Sequence, residues 1–295
     1  MISVLIPTYN YDVRELVNNV HKQCVDTGID FEISIVDDYS TNSLSCENNE
    51  KLSILSHVNY TKNKENLGRT ATRNKLAVEA TFEWLLFLDA DVLPKDTMFI
   101  SSYVSAINKE HECIYGGISY TDRKPNKELI LRWTYGKQRE VKTVSQRKKF
   151  PFDVISQNLC IRKSTFLKCN PEKYNAYGMD ILFSYNLKME NIKMLHIDNP
   201  IVHHGLEDAV TFLKKSLNAV ESTYNMEKEG LISNDARPLQ RVYLKLQKGH
   251  GLLTFQKSFA LVKKQTFKNL HSAKPSMRLL DAFKLSHFIK LKRNG

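Results

Sequence analysis

Trp84-Leu85-Leu86-Phe87-Leu88-Asp89-Ala90-Asp91 is the stretch on which the fold of this 295-residue chain turns. Five apolar residues in a row, without polar alternation, make a strand covered on both faces, and such strands belong to mostly parallel sheets packed between helices. The run ends in two carboxylates one residue apart. That places them at the C-terminal tip of the strand, where open α/β sheets bind ligands. Two acids held side by side repel, and a hard divalent cation bridging to a diphosphate would relieve the repulsion. In isolation, the same three residues could equally be a solvated turn.

Working outward, the pattern repeats. Residues 2 to 6 and 32 to 36 read as apolar strands, 57 to 61 as a weaker one, and 13 to 24 and 69 to 80 as helices, the latter through Ala71, Leu76, Ala77 and Ala80. Downstream, 97 to 107 predicts a helix, 119 to 151 is polar and basic and predicts a long loop or lid, 181 to 189 is helical and 194 to 197 extended. The expectation is a doubly wound α/β layer. Beyond residue 231 the chain is helix-prone, with Leu252, Phe255, Phe259 and Val262 at three- or four-residue spacing and Lys257, Lys263, Lys264 and Lys268 interleaved.

The formal net charge of +11 is local. Residues 1 to 225 carry 28 Lys+Arg and 28 Asp+Glu, whereas 226 to 295 carry 15 against 4. A neutral body argues against a nucleic-acid partner and sends any anionic partner to the tail. Cysteines 24, 46, 113, 160 and 169 are odd in number and form no CxxC pair, so neither a disulfide framework nor a zinc knuckle is indicated and a reducing, cytoplasmic setting is expected. The apolar N-terminal run is only a strand's length and lacks a basic flank, unlike a signal peptide.

Two more strand tips carry chemistry. Ile33-Ser-Ile-Val-Asp37-Asp38-Tyr-Ser40-Thr ends in an acidic pair, and Val4-Leu-Ile-Pro7-Thr8-Tyr9-Asn10 runs into a proline and an aromatic. An aromatic face for stacking, a carboxylate to accept from a base and an acidic pair for metal and phosphate together suit a nucleotide. With these pieces on the page the chain resembles the inverting family 2 glycosyltransferases of the GT-A fold. The resemblance is carried by SVLIPTYN at 3 to 10, VDDYST at 36 to 41, Asn66-Leu-Gly68-Arg-Thr-Ala-Thr-Arg73-Asn74, LDAD at 88 to 91, Gln157-Asn158, Tyr177-Gly-Met179-Asp180 and Asn199-Pro-Ile-Val-His203. It covers about residues 1 to 210.

The resemblance implies roles residue by residue. Pro7, Thr8 and Tyr9 would line the base pocket of a UDP-sugar, and Asp37 or Asp38 would bond the base. Gly68 would allow close approach to the diphosphate and Arg73 would lie near it, although on the residues alone Arg73 reads as a surface helix arginine. Asp89 would contact the ribose or sugar, with Ala90 beside the donor, and Asp91 and His203 would hold Mn²⁺ or Mg²⁺, His204 being an extra. Asp180 would be the general base, the alternative being an N-cap of the helix that follows. Met179 replaces the acid usually found before that aspartate and, with Trp133 and Asn158, marks the acceptor region. Trp133 could equally be core, and Asn158 could support a loop.

The implied activity is metal-assisted transfer of a sugar from a nucleotide-sugar donor to a carbohydrate or lipid-linked acceptor, in polysaccharide or glycan biosynthesis. A sugar-nucleotide nucleotidyltransferase and a non-catalytic carbohydrate-binding protein are the alternatives. The sequence divides into a transferase domain at 1 to 225, its donor part about 1 to 110 and its acceptor part about 111 to 225, and a basic helical extension at 226 to 295. That extension reads either as a peripheral contact with the inner face of a membrane or as helices packed on the body or on a second subunit of a homodimer.

Overall fold

The computed structural model describes residues 1–171 and 176–294. In chain order the elements are β1 (Ile2–Thr8), α1 (Arg14–Thr27), β2 (Phe31–Asp37), α2 (Ser43–Glu50), β3 (Val58–Lys62), α3 (Arg69–Glu79), β4 (Trp84–Leu88), β5 (Val92–Pro94), α4 (Phe99–Ala106), β6 (Cys113–Tyr115) and β7 (Ile118–Ser119). There follow α5 (Ile130–Tyr135), α6 (Val144–Lys148), β8 (Asn158–Arg162), α7 (Lys163–Cys169), α8 (Asp180–Met189), β9 (Met194–His196) and β10 (Ile201–His203). Four long helices close the chain: α9 (Ala209–Lys228), α10 (Pro238–Lys248), α11 (Leu252–Leu270) and α12 (Met277–Asn294).

The chain forms two compact units. The first comprises Met1–Thr121, Glu140–Asn175 and Asn186–Gly205; the second comprises Asp122–Arg139, Ala176–Tyr185 and Leu206–Gly295. The expected boundary after residue 225 falls inside α9.

The first unit is built on a seven-stranded sheet of order β3-β2-β1-β4-β8-β6-β9, with β1 to β4 mutually parallel and β8 antiparallel to both neighbours. This mostly parallel sheet with flanking helices is the α/β architecture the apolar runs predict. All five residues of β4 are buried, as the lack of alternation requires. Because β1, β2 and β4 run the same way, their C-terminal tips meet along one edge. A small second sheet, β5-β10-β7, follows the β4 tip, and β5 and β10 pair antiparallel with His203 opposite Val92.

The stretch 119 to 151 departs from the expected loop or lid. It holds α5, a π-helical turn at Gly136–Glu140 and α6, whose Thr143 caps it through a box with Gln146. Its basic residues are not all solvent-facing. Arg147 is buried and donates to the carbonyls of Tyr115 (2.8 Å), Gly116 (3.3 Å) and Ile197 (2.9 Å), so a cation that looks like surface decoration closes backbone acceptors.

Asn158 is the polar centre of this unit. Fully buried, it accepts from the Tyr103 hydroxyl at 2.6 Å and donates to the carbonyls of Gly117 at 2.8 Å and Asn199 at 2.9 Å. Gly116 sits in the same knot, where a Cβ would fall 2.4 Å from both the Asn199 carbonyl and the Tyr103 hydroxyl. Asn158 thus holds loops together, the supporting role weighed for it above, and its amide is engaged within the molecule.

The second unit is helical. Leu131, Ala209, Phe212, Leu213, Leu270, Met277 and Leu280 form its apolar core, and Arg132 lies over the rings of Tyr135 and Phe212. Asp208 caps α9 by accepting from the amides of Val210 and Thr211, and Pro238 opens α10, where a missing amide hydrogen has no consequence. Glu227 accepts from Gln240 and pairs with Lys292, tying α9 to α10 and α12. Among the described residues no helix is long and apolar enough to cross a membrane.

Replacing Asn158 by leucine removes its side-chain hydrogen bonds to the Tyr103 hydroxyl and to the Gly117 and Asn199 carbonyls. The unfolding free energy from urea titration is expected to fall by about 2–4 kcal/mol, against about 1 kcal/mol for Tyr103→Phe.

Candidate active site at the strand tips

The tips of β1 and β2 are in register, Thr8 opposite Asp37, and the chain beyond them is stitched across. The Asp38 amide donates to the Thr8 carbonyl at 2.8 Å. Asn10, in the left-handed region at φ 51°, donates from its amide to the Ser40 hydroxyl (2.7 Å) and accepts through its side chain from the amides of Thr41 (2.8 Å) and Asn42 (3.0 Å). Thr8 is buried and its hydroxyl donates to the Tyr11 carbonyl, while Tyr9 next to it is 52% exposed. Of the three residues expected at the base pocket, Tyr9 therefore presents a free aromatic face, Thr8 braces the turn and Pro7 is half-buried at the strand end.

The two aspartates of the β2 tip differ. Asp37 is fully buried and accepts from the Ser40 amide (2.6 Å), the Tyr60 hydroxyl (2.8 Å) and the Cys46 thiol (3.6 Å). Burial, then the bond to Asp37, pushes the Tyr60 phenol well up from its usual range. Asp38 accepts from the Asn63 amide group (2.9 Å) and from the backbone amides of Leu67 and Gly68 (both 2.8 Å). Gly68 is the N-cap of α3 at φ 83°, a conformation that favours glycine, so Asp38 determines where that helix starts. A carboxylate offers about four acceptor positions. Asp38 keeps one of them on an oxygen that already holds a helix end.

Arg73, one turn into α3, is buried and forms an ion pair with the equally buried Asp89 of the β4 tip; Arg69 adds a second cation 3.3 Å from the other carboxylate oxygen. The reading of Arg73 as a surface helix residue is thereby overturned: its face of α3 turns inward because a buried anion lies there. Burial pushes the Asp89 carboxyl up, but the charges of Arg69 and Arg73 more than offset this and hold it below the usual carboxylate range. The Asp89 oxygen nearest Arg69 accepts no hydrogen bond. Ala90, partly exposed, separates the two acids.

Asp91 and His203, distant in sequence, are brought together. The pairing of β5 with β10 places the His203 Nε2 3.4 Å from the Asp91 Oδ2, and the His204 amide donates to the Asp91 carbonyl at 2.8 Å. His203 is buried with the edge of Tyr120 5.3 Å away, and its Nδ1 has no hydrogen-bond partner. At Gly205 a Cβ would lie 1.7 Å from the Asp91 Oδ2, so only glycine leaves the carboxylate room. Burial, then the charges of Asp91, Glu15 and Asp12, push the Tyr11 phenol up. Among the described residues no three His, Cys, Asp or Glu side chains gather into a metal cluster.

Three expected site residues belong to the second unit. Asp180 is the first residue of α8 rather than a residue preceding it, Met179 just before it is buried, and Trp133 is half-buried in α5 with the Lys137 ammonium 5.8 Å from its ring centre. The sequence reading did not single out Arg69, Tyr60, Asn63 or Gly205. Of these, only Arg69 lies inside a motif quoted there, the 66 to 74 stretch, where Arg73 drew the attention.

A parallel sheet edge that gathers an exposed aromatic, two acidic tips, two arginines and an Asp–His pair defines a ligand-binding α/β enzyme scaffold. Residues 3–166 match the model of glycosyl transferase family 2, and the chain belongs to that family. Among solved structures it is similar in fold to Staphylococcus aureus TarS residues 1–349 in complex with UDP-GlcNAc, with 18% identity and a TM-score of 0.52 over 100% of this chain and 92% of that one. It is likewise similar to the mannosyltransferase PcManGT of Pyrobaculum calidifontis in complex with GDP-Man and Mn²⁺, with 15% identity and a TM-score of 0.54 over 97% and 86%. No curated protein matches the chain.

Asp89→Asn leaves Arg73 buried beside a neutral group and is expected to lower the unfolding free energy at pH 7 by about 3 kcal/mol. Since the folded-state pKa of Asp89 is depressed, its contribution is complete above the unfolded value of about 3.9 and is lost as pH falls through the folded one. The gap between variant and wild type in urea titrations should therefore narrow below about pH 4.

Proposed function

We propose that the chain transfers a sugar from a UDP-sugar to an acceptor hydroxyl with inversion, assisted by Mn²⁺ or Mg²⁺, in the building of a polysaccharide or other glycan. Family membership supports glycosyl transfer, and solved structures of similar fold hold UDP-GlcNAc in one case and GDP-Man with Mn²⁺ in another. The observation that carries the reading is the Asp91–His203 pair at the tip edge that also presents Tyr9 and Asp38.

In this reading Tyr9 stacks on the base and the remaining acceptor position of Asp38 takes its N–H, while Asp37, with no exposure, braces the turn. The Asp89 oxygen that accepts nothing would take a donor hydroxyl, and Arg69 and Arg73 set positive charge beside the diphosphate. Asp91 and His203 fit a divalent cation: a hard carboxylate oxygen, an imidazole with one nitrogen facing it and the other unpartnered, and a glycine that leaves the carboxylate room beside it. With two protein ligands, the remaining positions fall to water and to the phosphates of the donor. When bound, the cation supplies neutralisation of the charge that grows on the departing diphosphate. Asp180 takes the proton of the attacking hydroxyl, the role the family resemblance implies.

Release of UDP from UDP-sugars in the presence of Mn²⁺, together with a donor- and metal-dependent rise in melting temperature, is the expected result. Asp91→Ala should abolish the release while the melting temperature of the free protein stays within a few degrees, about the range of surface substitutions. Full activity in metal-free buffer would sink the metal assignment. Asp180→Asn should lower turnover by about 10²- to 10⁴-fold with donor affinity unchanged, and near-normal turnover would place the base elsewhere.

A further inference from the structure

The apolar stripe that spacing predicts on α11 faces inward except at Val262, which is exposed. Phe259 is buried, Leu252 and Phe255 are half-buried, and Leu270 joins the core of the second unit with Met277 and Leu280 of α12. That stripe is occupied by intramolecular packing. On the opposite side lies a second set: Leu261 is 81% exposed, Leu253 59% and Phe267 51%, with Lys257, Lys264 and Lys268 exposed among them. Projected at 3.6 residues per turn, Leu253, Lys257, Leu261, Lys264 and Lys268 share one face.

Two further facts single this face out. Between residues 236 and 280 the chain has ten Lys+Arg and no Asp or Glu. Moreover, Lys257, Lys263, Lys264 and Lys268 make no salt bridge with any described carboxylate. Beside them a groove of about 550 Å³ is lined by Ala260, Lys263, Lys264, Phe267, Lys268 and Phe283, an apolar floor under an ammonium rim.

We infer that this outer face of α11 docks on an anionic lipid surface, the lysines at the phosphate level and Leu253, Leu261 and Phe267 in the acyl boundary. Charge decides among occupants. A second copy of the face would set lysine against lysine with no acid to answer. Nucleic acid would leave three large apolar side chains in water, whereas a bilayer satisfies both kinds of group at once. The inference stands apart from the proposed catalysis, since none of these residues belongs to the strand-tip site.

The test is co-sedimentation of the full chain with vesicles of phosphatidylcholine alone or mixed with phosphatidylglycerol, at low and high salt. Binding to the mixed vesicles, weakened by salt and absent from the neutral ones, is expected. The triple change Lys257→Glu, Lys264→Glu, Lys268→Glu should weaken it by more than ~10-fold. Leu253→Ser with Leu261→Ser should weaken it several-fold with less change in its salt dependence. All five positions are exposed, so unchanged melting temperatures provide the folding control. Failure to bind mixed vesicles would overturn the inference. So would equal binding by wild type and both variants, salt-sensitive binding to duplex DNA that the serine variant retains in full, or a dimer in light scattering that the glutamate variant abolishes without any vesicle binding.

Discussion

The buried ion pair between Arg73 and Asp89 is the constraint on which the rest of the tip edge hangs. A guanidinium and a carboxylate both out of water are tolerable only if each faces the other closely, so α3 cannot rotate about its axis or slide along β4 without stranding a charge. Asp38 fixes the same helix one turn earlier by accepting from the amides of Leu67 and Gly68, and Asn63, held by Lys75 from α3 itself, completes the clamp. With α3 pinned at its start and at its first turn, charge fixes that helix against the ends of β2 and β4, which the hydrogen-bonded sheet already holds on either side of β1. Charge is directional in a way that leucine contacts are not.

The same logic explains which parts of the molecule were legible in the sequence. Strand β4 announces itself because burial on both faces requires an unbroken apolar run, β1 and β2 because their apolar residues are interrupted only by Ser3 and by the alternating Glu32 and Ser34, and the helices α1, α3 and α8 because one inward face imposes a 3.6-residue period. Strands of two or three residues such as β5, β7 and β10 carry too few positions for any period to show, yet their pairing delivers His203 to Asp91. Buried polar residues were the other blind spot. Arg73 and Arg147 look like surface cations, and nothing local distinguishes a guanidinium that will meet a carboxylate or four carbonyls from one that will meet water. Asn158 was legible only through family resemblance, since its three partners come from segments far along the chain.

Helix α11 shows how spacing alone can identify a face and misassign its partner. Leu252, Phe255 and Phe259 do form a stripe, and a neighbouring helix covers it. The exposed leucines lie where periodic reading expects polar residues, so they register as noise in the pattern rather than as signal. In a helix already buried along one side, apolar residues on the other side add nothing to the packed state and expose area to water.

At the Asp91–His203 pair, economy of ligands has a thermodynamic consequence. One carboxylate and one imidazole are a weak trap for a hard cation in water, because most of the coordination shell would still be solvent. Under the proposed function the donor's phosphates fill those positions, so cation and donor must each raise the affinity of the other by the same factor, as linkage requires. Gly205 acts on the same balance from the protein side. Having no Cβ where the Asp91 Oδ2 packs, it lets that carboxylate sit beside His203 without a rearrangement of the loop, whose free-energy cost would otherwise come out of the binding energy of both partners.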